Sequence, residues 1–224
     1  VKLVSYIPGI TPYEGARVLT CDEIHALADV YAGAALRARE AGFDLIELHG
    51  AHGYLLNQFL SPFTNRRQDE YGGSEENRLR FPLEVLKACR NAVGADFPVT
   101  VRLSVDEFNG TGLALEQSLP IARAFADNGI DALNISVGAC ETNRYTIPPS
   151  CLPEGFNADR AAAVRRAVDA RVPVAVAGRI HDVALAEAIL AEGKADLIVM
   201  GRPLIADPCL PVKSRAGNIA AVTP

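Results

Sequence analysis

Three times in this chain a helix-like stretch stops at a glycine, and an aspartate two or three residues on opens an apolar run. The three junctions are Gly42-Phe-Asp44-Leu-Ile-Glu-Leu-His49, Gly129-Ile-Asp131-Ala-Leu-Asn-Ile-Ser136 and Gly193-Lys-Ala-Asp196-Leu-Ile-Val-Met200. Glycine accepts the left-handed backbone that ends a helix, so the echo marks repeated helix-to-strand junctions. Two further runs, Phe97-Pro-Val-Thr-Val-Arg102 and Val172-Pro-Val-Ala-Val-Ala177, are each entered through a proline, which a strand tolerates at its first residue. Five strands alternating with helices predict a parallel sheet with helical crossovers.

The helices are legible as well. Thr20 and Glu23 predict a capping box ahead of Ile24, Leu27, Tyr31, Ala35 and Ala38, and Ser74 predicts a cap before Leu79, Leu83 and Leu86. Leu115 to Asp127 reads as a helix locally interrupted at Pro120, and Asn157 and Asp182 read as caps of the last two helices. This order suits a doubly wound sheet or a (β/α)8 TIM-type barrel. The barrel is preferred because polar residues recur where strands end: His49, Arg102, Ser136, Gly178-Arg179 and Gly201-Arg202. A closed barrel takes eight strands and about 250 residues. The 224 residues are therefore read as one α/β domain over 1–224 that holds only the last five βα units of such a barrel, truncated at its start. An irregular lead-in over 1–19 is expected to supply at most one strand.

Composition removes several functions. Lys and Arg total 22 against 27 for Asp and Glu, a net charge of -5, so no nucleic-acid partner is expected. No run approaches the roughly 20 apolar residues of a membrane span. Val1 to Thr11 lacks the features of a signal peptide, and the chain is expected to be cytoplasmic, away from membranes. Cys21, Cys89, Cys140, Cys151 and Cys209 are odd in number and widely spaced, which predicts reduced thiols, each a small core residue.

The densest chemistry lies in His49-Gly-Ala-His52-Gly-Tyr54-Leu-Leu-Asn-Gln-Phe-Leu-Ser-Pro62. Two imidazoles and a phenol at one strand mouth are groups that hold a carbonyl oxygen and hand over a proton. Structural histidines and a zinc pair are the alternatives; zinc takes a third ligand, only the distant His25 and His181 remain, and no metal is expected. The charged segment Asn65 to Ser74 reads as scaffolding. Arg102 ends an otherwise apolar strand and needs either an anionic ligand or a carboxylate such as Glu47 or Asp106. At Gly178-Arg179 and Gly201-Arg202, glycine would admit a phosphate to backbone N–H groups and arginine would clamp it, with ordinary turns as the alternative. A Schiff-base aldolase barrel would need a lysine at a strand end, whereas Lys87, Lys194 and Lys213 fall on helices or loops.

The first motif, followed by Asn65-Arg66, Asp69-Glu-Tyr-Gly-Gly73 and Glu76-Asn-Arg-Leu-Arg-Phe81, resembles the old yellow enzyme family of flavin oxidoreductases. Within it the chain resembles the multidomain branch of 2,4-dienoyl-CoA reductases, 2-enoate reductases and bile-acid enone reductases. The likeness runs from about Thr20 to Gly217, with Val101-Arg-Leu-Ser104, Ala177-Gly-Arg-Ile180 and Met200-Gly-Arg-Pro-Leu-Ile-Ala-Asp-Pro208 in the family's order.

That resemblance implies an FMN-dependent oxidoreductase that reduces the C=C bond of a small α,β-unsaturated carbonyl compound with electrons from NAD(P)H. It implies that His49 and His52 bond the carbonyl and that Tyr54 protonates the α-carbon. Arg102 would lie beside the flavin pyrimidine edge, and the backbone at Gly178, Arg179, Gly201 and Arg202 would hold the FMN phosphate. In dienoyl-CoA reductases a histidine in a Gly-x-His-Glu context is a second acid; here Gly138-Ala-Cys140-Glu141 puts Cys140 in that place, which shifts the expectation toward enones and enoates. The family's first three strands, an iron-sulfur segment and an FAD-type domain are expected only in a longer parent protein. An amine dehydrogenase of the same family, whose branch shares the Ala-His-x-Tyr pattern, is one alternative. The other is a catalytically inactive barrel fragment that forms a homo-oligomer through exposed strand edges.

Overall fold

The repeated aspartate closes one end of the sheet. In the computed structural model, which describes residues 2–4 and 17–223, Asp131 Oδ2 accepts the Val99 amide at 2.7 Å and pairs with Arg90. Asp196 Oδ2 accepts the Val174 amide at 3.0 Å and pairs with Arg165. Each aspartate thus satisfies the first N–H of the neighbouring strand and ties down the helix leading into that strand. Gly129, with φ +80, supplies the left-handed turn that delivers Asp131 there.

The elements are, in order, β1 (Lys2–Leu3), β2 (Arg17–Val18), α1 (Cys21–Glu40), β3 (Ile46–Gly50), α2 (Leu55–Leu60), α3 (Glu75–Val93), β4 (Val99–Ser104), α4 (Leu115–Asp127), β5 (Ala132–Ser136), α5 (Asn143–Thr146), α6 (Ala158–Ala167), β6 (Val174–Ala177), α7 (Val183–Ala191), β7 (Leu197–Val199), α8 (Arg202–Ala206) and α9 (Leu210–Arg215). Five strands form one all-parallel sheet in the order β3-β4-β5-β6-β7. A doubly wound sheet reverses its order at a switch point, whereas here every strand lies beside its successor, so the sheet is an open arc of a (β/α)8 barrel.

Alternation along the strands separates two faces. Val99, Val101, Leu103, Leu133, Ile135, Val174 and Val176 are buried in one core with Phe81, Val85, Ile121, Phe125 and Val164 of the helices. The alternate positions carry Glu47, His49, Thr100, Arg102, Ser104, Asn134 and Ser136. Parallel strands buried on both faces normally read as continuous apolar runs. The polar inner face is therefore the exception, and it holds the candidate site.

Several expectations change. The lead-in supplies two short strands rather than one, because β1 pairs with β2 in parallel; residues 1 and 5–16 of it lie outside the described residues. The Thr20/Glu23 capping box and the Ser74 and Asp182 caps form as expected. Asn157 precedes α6 without capping it, because its side chain turns to the Ala177 carbonyl at 2.7 Å. Pro120 does not interrupt α4, which runs through it. Cys89 is a core residue, but Cys140, Cys151 and Cys209 are exposed, since they fall in connections beyond the strand ends.

The segment from Asn65 to Ser74 is scaffolding in detail. Asn65 Nδ2 donates to the Phe59 and Tyr71 carbonyls at 2.8 and 2.7 Å. Arg67, with its side chain only 5% exposed, pairs with Asp69 and donates to the Leu19 carbonyl at 2.8 Å. Among the described residues no helix is long and apolar enough to cross a membrane.

Candidate active site

The chain leaves β3 through two consecutive left-handed residues, His52 (φ +64) and Gly53 (φ +77), before α2 begins. Glycine is required at the second, because a Cβ there would lie 2.8 Å from Cys140 Sγ and 2.9 Å from its backbone nitrogen. The turn brings three of the expected catalytic residues together: the His49 ring centre is 5.1 Å from those of both His52 and Tyr54. His52 Nε2 lies 2.8 Å from Ser136 Oγ at the end of β5. Tyr54 is 59% exposed, the most open of the three. Cys140 joins from the other side, its thiol donating to the His52 carbonyl at 3.5 Å.

Burial lowers the pKa of His49, with the Arg102 charge adding to it. Burial, then Arg102 and His49, push His52 down to about 4. His52 is thus neutral near pH 7 and offers one N–H donor and one lone pair. Although Cys140 as a whole is exposed, its thiol is turned inward onto the His52 carbonyl, and that partial desolvation with the neighbouring Glu141 pushes its pKa up, which keeps it protonated and a weak donor.

Next to this cluster is a cavity of about 210 Å³ that collects all five expected cofactor residues, Arg102, Gly178, Arg179, Gly201 and Arg202, together with Ser136, Thr146 and Asn157. Among the described residues, three arginines and no carboxylate line it. Neither proposed carboxylate partner of Arg102 pairs with it: Glu47 accepts from Asn134 Nδ2 at 2.8 Å, and Asp106 pairs with Arg160 at 3.3 Å. Among the described residues Arg102 Nε, Thr146 Oγ1 and Asn157 Oδ1 are buried polar atoms without a hydrogen-bond partner, and all three belong to residues lining this cavity. Buried polar groups are rarely left unpaired, so these three atoms are ones that water or a polar ligand in the cavity can satisfy.

The guanidinium groups of the two Gly-Arg pairs do not stand free as clamps. Arg179 donates to the Ser150 and Leu152 carbonyls, and Arg202 donates to the Pro148 carbonyl at 3.0 Å. They tie down the segment after α5, and line the cavity together with their glycine neighbours. His25 sits on α1 against Tyr71, and His181 lies between Glu154 and Asp182, away from the His49 pair. Lys194 and Lys213 are taken by carboxylates off the strand ends.

Sequence reasoning missed Thr146, Asn157 and Glu107. An asparagine before a helix looks like a cap, and a threonine in a loop carries no signal. Glu107 follows a strand end in Asp106-Glu107-Phe108 like any solvated loop acid, yet it is only 2% exposed.

An open (β/α)8 arc whose strand mouths carry a histidine-tyrosine cluster beside an arginine-lined cavity defines a protein of the (β/α)8-barrel class with its candidate site at the strand ends. The chain belongs to the NADH:flavin oxidoreductase / NADH oxidase family, which it matches over residues 9–219. It is 44% identical to an NADH oxidase of Thermoanaerobacter brockii over 90% of this chain and 31% of that protein. It is 36% identical to a cinnamate reductase of Clostridium sporogenes over 93% of this chain and 33% of that protein.

Among solved structures, a 2-naphthoyl-CoA reductase complex with 2-naphthoyl-CoA superposes with a TM-score of 0.89 at 33% identity, over 96% of this chain and 32% of that one. Histamine dehydrogenase from Rhizobium sp. 4-9 superposes at 0.85 and 33% identity, over 99% and 32%. The chain spans about a third of the length of these four proteins.

Proposed function

We propose that the protein carrying this chain is an FMN-dependent ene reductase acting on a small α,β-unsaturated carbonyl compound. The observation that carries the reading is that the His49-His52-Tyr54 cluster and the arginine cavity share a wall, with Ser136 bonded to His52 and lining the cavity. The cavity fits FMN chemically: among the described residues it offers an unpartnered arginine N–H, a threonine hydroxyl that can donate, an asparagine oxygen that can accept from a hydroxyl of the cofactor, and glycine backbone, with no carboxylate to repel a phosphate. The chemistry FMN would supply there, once reduced by NAD(P)H, is hydride transfer to the β-carbon.

The chain's own residues do the rest. Arg102 holds the cofactor and places positive charge where negative charge develops. In the tautomer in which Ser136 Oγ donates to Nε2, His52 carries its proton on Nδ1, and that N–H together with His49 would meet the carbonyl oxygen. Tyr54 gives its phenolic proton to the α-carbon. Cys140, a poor acid, stands where a dienoyl-CoA reductase has its histidine, which favours enones and enoates over dienoyl thioesters. The similarity to a cinnamate reductase supports the same substrate class.

The test is alkene reduction by the FMN-loaded protein in deuterium oxide, with cinnamate and 2-cyclohexenone as probes. The expected result is solvent deuterium at the α-carbon and a loss of about 10²- to 10⁴-fold in Tyr54→Phe. An unchanged rate in that variant refutes the proton-donor role. A second reading, oxidation of an amine, is favoured by the likeness to histamine dehydrogenase. Bleaching of the flavin by alkylamines without NADH would establish it instead.

A further inference from the structure

Glu107 is a buried carboxylate to which the reading above gives no role. Its Oε1 accepts from Asn57 Nδ2 at 2.9 Å, and its Oε2 accepts from Ser61 Oγ at 2.7 Å and from the Leu113 amide at 3.0 Å. Asn57 Oδ1 in turn accepts the Gly53 amide at 2.6 Å. A backbone N–H can only donate, so the orientation of the Asn57 amide is fixed: oxygen toward Gly53, nitrogen toward Glu107.

The carboxylate therefore reaches, through one side chain, the middle of the left-handed turn that carries His52 on one side and Tyr54 on the other. Its own backbone carbonyl accepts from Thr142 Oγ1 at 2.6 Å, and Thr142 Oγ1 accepts the Ala139 amide at 2.9 Å. The segment bearing Cys140 is thus tied to the same residue.

We propose that Glu107 is a positioning residue: through Asn57 it holds the His52-Gly53 turn in its left-handed form and so sets where the His52 imidazole and the Tyr54 phenol stand. A left-handed histidine is an uncommon backbone state that persists where its surroundings over-determine it. Here the Gly53 amide is held by the Asn57–Glu107 pair, the Gly53 carbonyl by Gln58 Nε2 at 2.7 Å, the His52 amide by Ser104 Oγ at 2.9 Å and the His52 carbonyl by Cys140. The inference rests on the reading of His52 and Tyr54 as the groups that meet the substrate.

The donor and acceptor pattern supplies a direct test. Glu107→Gln puts an amide nitrogen against either Asn57 Nδ2 or the Leu113 amide, donor to donor. Asn57→Asp sets two carboxylates against each other. The double variant reverses the polarity of the pair: the carboxylate at position 57 accepts from both Gly53 and the new amide, whose oxygen still accepts from Ser61 and Leu113. Total charge is unchanged.

Two measurements apply to the FMN-loaded protein: amide hydrogen exchange across 52–57, and reoxidation of pre-reduced flavin by 2-cyclohexenone. Each single variant is expected to exchange faster by about tenfold or more and to reduce the enone about 10- to 100-fold more slowly. The double variant is expected to recover in both. Unchanged exchange in the single variants overturns the proposal, and so does a double variant no better than either single one. Where the single variants fail to fold, the double variant decides: folded with 52–57 protected supports the proposal, and unfolded overturns it. A Tyr54→Phe protein that reduces the enone at full rate would refute the functional reading alone, since exchange judges the turn without reference to activity.

Discussion

Ser136 Oγ lies 2.8 Å from His52 Nε2, joining the last residue of β5 to the turn after β3 across the strand between them. The bond holds the imidazole beside Arg102 and out of water, and both effects oppose its protonation. Proton nuclear magnetic resonance is expected to show the His52 ring titrating at about 4, against an ordinary value of 6.5. A midpoint above 6 would contradict the buried placement. The stability effect has a definite sign. With the folded pKa below the unfolded one, the unfolded chain takes up the proton first as pH falls. His52 therefore leaves stability untouched above about 6.5 and reduces it progressively down to about 4. His52→Gln removes that part of the acid slope in urea unfolding measured across this range.

Arg102 predicts opposite signs for folding and binding. Among the described residues its Nε is buried without a partner, which is a cost in the cofactor-free protein and an asset toward an anionic ligand. Arg102→Met is expected to raise the unfolding free energy of the FMN-free protein by up to about 1 kcal/mol. In fluorescence titration it is expected to weaken FMN binding by about 10-fold or more. A variant that loses stability and keeps its FMN affinity would mean that Arg102 is a structural residue.

The five strands were legible because each begins at a glycine-aspartate or proline junction, and junction chemistry is local. His49, His52 and Tyr54 were legible because one turn holds them. The cavity was legible in its strand-end residues only. What completes it comes from positions whose role depends on distant partners: Asn157 turns away from its own helix toward β6, and Glu107 is buried by a segment some 50 residues earlier in the chain. Two strands where one was expected in the lead-in, and three exposed cysteines where core residues were expected, are failures of the same kind. Burial there is decided by the packing of other elements, which periodicity does not encode.

Cys140 makes a prediction that separates acid from filler. Its thiol is held protonated and is directed at the His52 carbonyl, a contact within the protein. Cys140→Ala is expected to lower 2-cyclohexenone reduction by less than about fivefold and to leave the pH–rate profile unmoved, because losing one weak hydrogen bond costs about 1 kcal/mol or less. A loss beyond tenfold, with a shifted profile, would make the thiol an acid in the reaction.

The two Gly-Arg pairs look alike in sequence, and the structure separates them. Gly178 has φ +137, and a Cβ there would lie 2.6 Å from Asn157 Nδ2. Gly201 has φ -104 with nothing within 4 Å of a Cβ. Gly178→Ala must therefore strain the backbone and push Asn157 off the Ala177 carbonyl, at a cost of about 1–3 kcal/mol in unfolding free energy. Asn157 also lines the cavity, so FMN affinity should fall with stability in this variant. Gly201→Ala should leave the stability of the FMN-free protein within about 0.5 kcal/mol. Any loss of FMN affinity in that second variant then reports the approach of the ligand to the backbone, free of any change in the fold. Equal destabilisation by the two alanines would show that the strain assigned to Gly178 is absent.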